Sequence, residues 1–134
     1  MRLSTGPVTE TEYVGQLQFD ATLTNTGTDS TCTLQGYPTV VLIGPDDPTF
    51  GSTYVVPRQS GDPQPLTLAP GASAGSVLTF SPGPADGWVP REIVVTLPEP
   101  DTSVFLSTPW ISGGGSVLRQ DGATHPGTYI GPLR

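Results

Sequence analysis

Between residues 16 and 23 polar and apolar side chains alternate without a break. Leu17, Phe19, Ala21 and Leu23 share one face, and Gln16, Gln18, Asp20 and Thr22 share the other. A period of two predicts a strand with one face buried. The period returns in Leu66-Thr67-Leu68, in Leu78 and Phe80, and in Ile93, Val95 and Leu97, which oppose Glu92 and Thr96. Val40-Val41-Leu42-Ile43 is apolar throughout, and that run predicts a strand covered on both faces. Weaker strands are predicted at 31–34, 53–56, 104–106, 116–118 and 128–130.

Turn chemistry separates these segments. Asn25-Thr26-Gly27-Thr28-Asp29-Ser30 follows the first strand, Gly36-Tyr37-Pro38 bends the chain, and Gly44-Pro45-Asp46-Asp47-Pro48 should end the apolar run. Further breaks fall at Ala69-Pro70-Gly71-Ala72, Pro98-Glu99-Pro100-Asp101, Gly113-Gly114-Gly115 and Gly131-Pro132. About eight or nine short strands joined by short loops predict an all-β, antiparallel Greek-key β-sandwich. A single domain over 1–134 is expected, with no internal repeat.

Composition supports this reading and removes others. Seventeen Gly and 16 Pro leave little room for helix, and the regular strand period argues against disorder. Twelve acidic residues face five Arg and no Lys, for a net charge of −7. Arg2, Arg58, Arg91, Arg119 and Arg134 are scattered, so no basic patch exists in the sequence to hold nucleic acid. The longest apolar run, 40–43, is far too short to cross a bilayer as a helix. Met1-Arg2-Leu3-Ser4 does not lead into the apolar stretch of a signal peptide, because Gly6, Thr9, Glu10 and Glu12 interrupt it. The expectation is that an export segment has been removed, rather than that the protein is cytosolic.

Signals for catalysis are weak in context. Gly71-Ala72-Ser73-Ala74-Gly75 matches G-x-S-x-G, yet a Pro-Gly turn precedes it and a strand follows, whereas a nucleophilic serine needs a strand-to-helix elbow. His125 is the sole histidine and lies in a loop sequence, too little for a zinc cluster. Asp46-Asp47 lacks the alternating acidic spacing of a calcium loop. Glu10, Glu12, Glu92 and Glu99 show no spacing that marks an acid and base pair. No catalytic residue, metal or cofactor is assigned, and a non-enzymatic chain is expected.

The stretch 24–38, T-N-T-G-T-D-S-T-C-T-L-Q-G-Y-P, followed by L-T-L-A-P-G-A-S-A at 66–74 and the Gly131-Pro132 step, resembles an uncharacterised family of actinobacterial secreted and lipoprotein domains. The resemblance spans the whole chain. It implies an immunoglobulin-like sandwich at the cell envelope, outside the cytoplasm, with no established activity. Relatives generally carry further cysteines that could pair with the one in T-C-T-L, whereas Cys32 is the only cysteine here. Between Thr31 and Thr33 on a strand, Cys32 reads as a structural thiol packed as a small hydrophobe. An intermolecular bridge and a reactive thiol are the alternatives.

Recognition is the function class left. Among Tyr13, Tyr37, Tyr54, Tyr129, Trp88 and Trp110, the tryptophans are the candidate contact residues, Trp88 because it follows the loop 83–87 and Trp110 because it follows Pro109, with capping of the core the competing role for Trp88. The expected partner is an envelope protein met through loops or an open sheet face. A carbohydrate- or wall-polymer-binding module is the alternative.

Overall fold

The computed structural model describes residues 1–12, 15–61, 64–98, 105–121 and 127–134. They form strands β1 (Arg2–Thr5), β2 (Thr9–Glu10), β3 (Leu17–Thr24), β4 (Cys32–Leu34), β5 (Thr39–Asp47), β6 (Gly51–Val55), β7 (Leu66–Leu68), β8 (Ser73–Phe80), β9 (Glu92–Thr96), β10 (Phe105–Pro109) and β11 (Tyr129–Ile130). No helix occurs among the described residues, and none is long and apolar enough to cross a membrane.

The strands build two principal antiparallel sheets. One runs β1-β3-β8-β11, with β2 also on β3, and the other runs β10-β9-β5-β6. β4 and β7 form a separate pair. Alternation in β3 sets the register: Phe19 lies opposite Leu78 and Leu23 opposite Ala74, all four buried, while Gln18 pairs with Thr79 on the outer face. The inner faces of both sheets meet in one hydrophobic cluster, the arrangement of a β-sandwich. Phe19, Leu78, Phe80 and Ile130 come from one side, and Val40, Leu42, Ile93 and Val95 from the other.

The chain passes between the sheets just beyond β6. Val56 N donates to Val40 O at 2.9 Å, while Gln59 N donates to Ile130 O at 2.8 Å in the opposite sheet. The C-terminal residues prolong the β11 ladder, with Gly131 N bonded to Val77 O and Arg134 N to Gly75 O.

Three expectations change. The run 40–43 is covered on one face only: Val40 and Leu42 are buried, but Val41 and Ile43 are half-buried on the outer side. β-Branched residues on an uncovered face erased the alternation that burial alone would have written. The segment 44–48 does not end that strand either. β5 continues to Asp47 through an irregular register between Ile43 and Asp47, and the turn comes after it. Asp47 Oδ1 accepts from Thr49 N (2.8 Å) and Phe50 N (3.0 Å), an Asx turn that holds its carboxyl below the ordinary value. The predicted strand at 116–118 is reduced to a single bridge, Pro82 with Val117.

β1 and β2 have no counterpart in the pattern of the sequence, since Leu3 is the only large apolar residue in β1. They form because the edge of β3 offers unpaired backbone groups, with Leu3 opposite Leu23 and Thr9 opposite Gln18. Val104, at the head of a predicted strand, lies outside the described residues; the strand itself covers Phe105–Pro109.

Candidate functional site

The 24–38 stretch is organised by Asn25. Buried at the end of β3, it donates through Nδ2 to Ser30 O and to Leu68 O, both at 2.9 Å, and accepts from Gly27 N through Oδ1 at 3.0 Å. Its backbone N donates to Ala72 O, and its carbonyl accepts from Gly71 N. One residue therefore ties β3, the polar turn, β7 and the Pro-Gly turn together. Gly71 sits at φ +83°, a conformation that suits glycine in such a turn. Nearby, Cys32 is half-buried against the core with Leu68 as its cross-strand neighbour.

At one end of the sandwich, Arg119 is sunk among aromatic rings. Its side chain is 5% exposed, and its guanidinium carbon stands 4.4 Å from the Trp88 ring centre, 5.1 Å from Tyr54 and 5.4 Å from Phe50. Nε and Nη2 donate to Asp121 at 2.8 and 2.6 Å. Nη1 donates to Gly51 O at 3.1 Å, and Nη2 also reaches Phe50 O (3.0 Å) and Thr53 O (2.9 Å). β6 is the last strand of its sheet. Gly51 and Thr53, two residues apart on it, turn their carbonyls to the same open side, where Arg119 caps them. An edge covered in this way is closed to pairing with another chain.

Trp88 completes that end. Its indole Nε1 donates to Pro45 O at 2.8 Å, and its ring lies so close to Gly44 that a methyl group there would stand 2.8 Å from Cζ2. Trp110 has the matching place against the other sheet. Nε1 donates to Gly115 O at 2.9 Å, and the ring meets Phe19 and Phe80 edge-on with centroids at 5.7 and 5.3 Å. Both tryptophans are partly buried against the core. Their one polar atom is already bonded to backbone in each case.

Tyr54 lies beneath Arg119 and Trp88, 2% exposed. Its hydroxyl has no hydrogen bond among the described residues; the Gln120 main chain and Thr128 are near without bonding it in good geometry. Burial is the main reason its pKa is raised above the ordinary 10.0. Below that value both folded and unfolded chains keep the proton. Above it the unfolded chain loses the proton first, so stability should fall as pH rises past about 10. Tyr54→Phe should change stability at neutral pH by less than about 1 kcal/mol and flatten the alkaline decline. Urea midpoints for both proteins across that range check this, and parallel declines would assign the effect to other groups.

The outer face of the four-stranded sheet carries a row of apolar side chains. Val55, Val41 and Val94 stand side by side on β6, β5 and β9, with Ile43 one step along on the same face of β5. Val55 is 62% exposed, and Phe105, on the β10 edge of the same sheet, is 70% exposed. A row of β-branched residues facing water on adjacent strands is costly unless something covers it.

The remaining candidates are dispersed. Ser73 is on β8, its hydroxyl 2.7 Å from that of Thr24. Glu10 and Glu12 come from one segment at the edge of the five-stranded sheet, and Glu92 is on β9 in the other. Tyr13, Glu99 and His125 lie outside the described residues. Among the described residues no three His, Cys, Asp or Glu side chains gather as a metal site. Sequence reasoning missed Arg119, one of five scattered arginines, because nothing in its neighbours announces the rings supplied by residues 50, 54 and 88.

Residues 2–127 match the DUF4232 family, a domain of unknown function. No curated protein and no solved structure matches the chain. The chain belongs to the DUF4232 family.

Proposed function

We propose, with membership of a family of unknown function as the premise, that this chain is a non-enzymatic binding module that contacts another protein through the open face of its four-stranded sheet. The observation that carries the reading is the apolar row Val55, Val41 and Val94, extended by Ile43 and flanked by Phe105. Burying such a row against a partner gains roughly 25 cal/mol per Å2 of apolar surface, and a flat face of short side chains suits another protein better than a small molecule. Trp88 and Trp110 serve this reading by closing the core at the end of the sheet where β9 begins and β10 finishes, with Trp110 N bonded to Arg91 O. The address outside the cytoplasm, at an actinobacterial cell envelope, and the immunoglobulin-like Greek-key topology follow from the resemblance carried by the 24–38 motif.

Replacing Val55 and Val94 together by glutamate tests it. Both side chains point outward, so the melting temperature should stay within about 5 °C of the parent. Capture of a partner from envelope extract should be lost, and hydroxyl-radical labelling of Phe105 in the captured parent complex should drop. Retention of the same partner by the double variant, with Phe105 labelled as freely as in the isolated protein, would remove the reading.

A further inference from the structure

On the other side of the sandwich, the outer face of the five-stranded sheet holds a polar cleft of about 500 Å3. Glu10, Glu12, Gln16, Gln18, Gln59 and Tyr129 line it, and it adjoins a second hollow of about 320 Å3 over Leu17 and Pro82 that shares Glu10, Glu12 and Gln16. Its floor is a register row: Thr9 pairs with Gln18, Gln18 with Thr79, and Thr79 with Tyr129. Four strands at the usual spacing of about 4.8 Å make that row roughly 14 Å long.

The lining selects a ligand chemistry. Among the described residues no Arg or Lys faces the cleft, so none of them compensates a phosphate, sulfate or carboxylate, and Glu10 and Glu12 repel all three. Both glutamates lack an ion-pair partner among the described residues. Gln16 is anchored, donating through Nε2 to Gly127 O at 3.2 Å. The side-chain amides of Gln18 and Gln59 make no hydrogen bond among the described residues, leaving each with donors and an acceptor to offer. A peptide could not add here as a strand, since Gln18 and Thr79 are each paired on both sides. What fits is a ligand carrying many hydroxyl groups that both donate and accept, with one ring face for Tyr129.

We propose that this cleft is a saccharide site, taking a short neutral or amine-bearing oligosaccharide laid across β2, β3, β8 and β11. Gln18 and Gln59 bind ring hydroxyls through their amides, Glu10 and Glu12 accept from hydroxyl or ammonium groups, and Tyr129 stacks on a sugar ring. Because Gln18 stands on a central strand, paired on both sides, its backbone is fixed before the ligand arrives and only its side-chain rotamers remain to be ordered.

Titration of the uniformly 15N-labelled protein with cellotriose, the N-acetylglucosamine trisaccharide, the glucosamine trisaccharide and the galacturonic acid trisaccharide tests the site. At least one of the first three should shift the side-chain amide signals of Gln18 and Gln59 saturably, and the acidic trisaccharide should not. Gln59→Ala removes an exposed side chain and should leave the melting temperature unchanged while weakening binding about tenfold. The proposal is overturned if none of the first three sugars moves these signals, if the acidic sugar moves them equally, or if Gln59→Ala binds as tightly as the parent. The protein contact proposed above uses the opposite sheet, so the Val55 and Val94 double variant should bind the sugar normally. Loss of sugar binding in that folded variant would also overturn the site.

Discussion

Arg119→Ala should lower the stability of the fold by about 3 kcal/mol, roughly 10 °C in melting temperature for a chain of this size. The side chain is almost fully enclosed, bonds both oxygens of Asp121 and three carbonyls at the β6 end, and lies over three aromatic rings. Charge-assisted bonds contribute about 1.5–3 kcal/mol each before water replaces those it can reach, and a desolvated cation over an aromatic ring adds up to about 2 kcal/mol. Water can recover much of what the carbonyls and Asp121 lose, which is why the sum is discounted to about 3. Arg119→Lys should restore less than half, because an ammonium cannot span a carboxylate and a row of carbonyls in one plane. The alanine variant should also self-associate more readily, since the β6 edge is then uncapped. Chemical denaturation with sedimentation at two protein concentrations reads both effects. A loss below about 1 kcal/mol with no added association would show the aromatic cage to be incidental.

Asn25→Ala is expected to cost a similar amount, about 3 kcal/mol, by a different route. The Leu68 carbonyl is left buried without its donor, a penalty of about 1–3 kcal/mol, and the bonds to Ser30 and Gly27 go with it. Asn25→Asp is the more informative variant. A carboxylate can still accept from Gly27 N, but it has no hydrogen to give to the Leu68 and Ser30 carbonyls and must face them as an anion. Its pKa in the folded state is therefore raised. Below an unfolded value of about 3.9 both states are protonated and the variant is at its best; as pH rises past that value the unfolded chain ionises first and stability falls. Denaturation midpoints between acid and neutral pH should consequently drop for the variant relative to the parent. Midpoints that rose together with the parent would mean that Asn25 is not the donor to those carbonyls.

These two residues also mark where reading the chain succeeds and where it stops. Asn25 lies inside the stretch that identified the fold, and its place after an alternating strand and before a Gly-containing turn is visible in the letters. Its link to Leu68 is not, because that partner arrives from another strand. Arg119 has one local partner, Asp121 two residues on, but nothing local that marks its aromatic cage. Its partners Phe50, Tyr54 and Trp88 lie between 31 and 69 residues away, and only the packing of the sandwich end makes them neighbours.

What the sequence determined alone is the all-β class, the strands near 17–23, 31–34, 40–43, 53–56, 66–68, 93–97 and 128–130 to within a few residues, the far half of the strand that ends at Phe80, and the turns around Gly27 and Gly71. Each of these rests on local physics: a side-chain period of two, and backbone conformations that Gly, Asn and Pro favour. Tertiary structure decided the rest. β1 and β2 exist because β3 has an edge to fill, the apolar run at 40–43 has one half-exposed face because that side of the sheet points away from the core, and the tryptophans close the core because Pro45 and Gly115 offer carbonyls where their indoles lie. The polar cleft and the apolar face arise in the same way, from residues brought side by side by strand register, which pairs positions too distant in the chain for any sequence period to record.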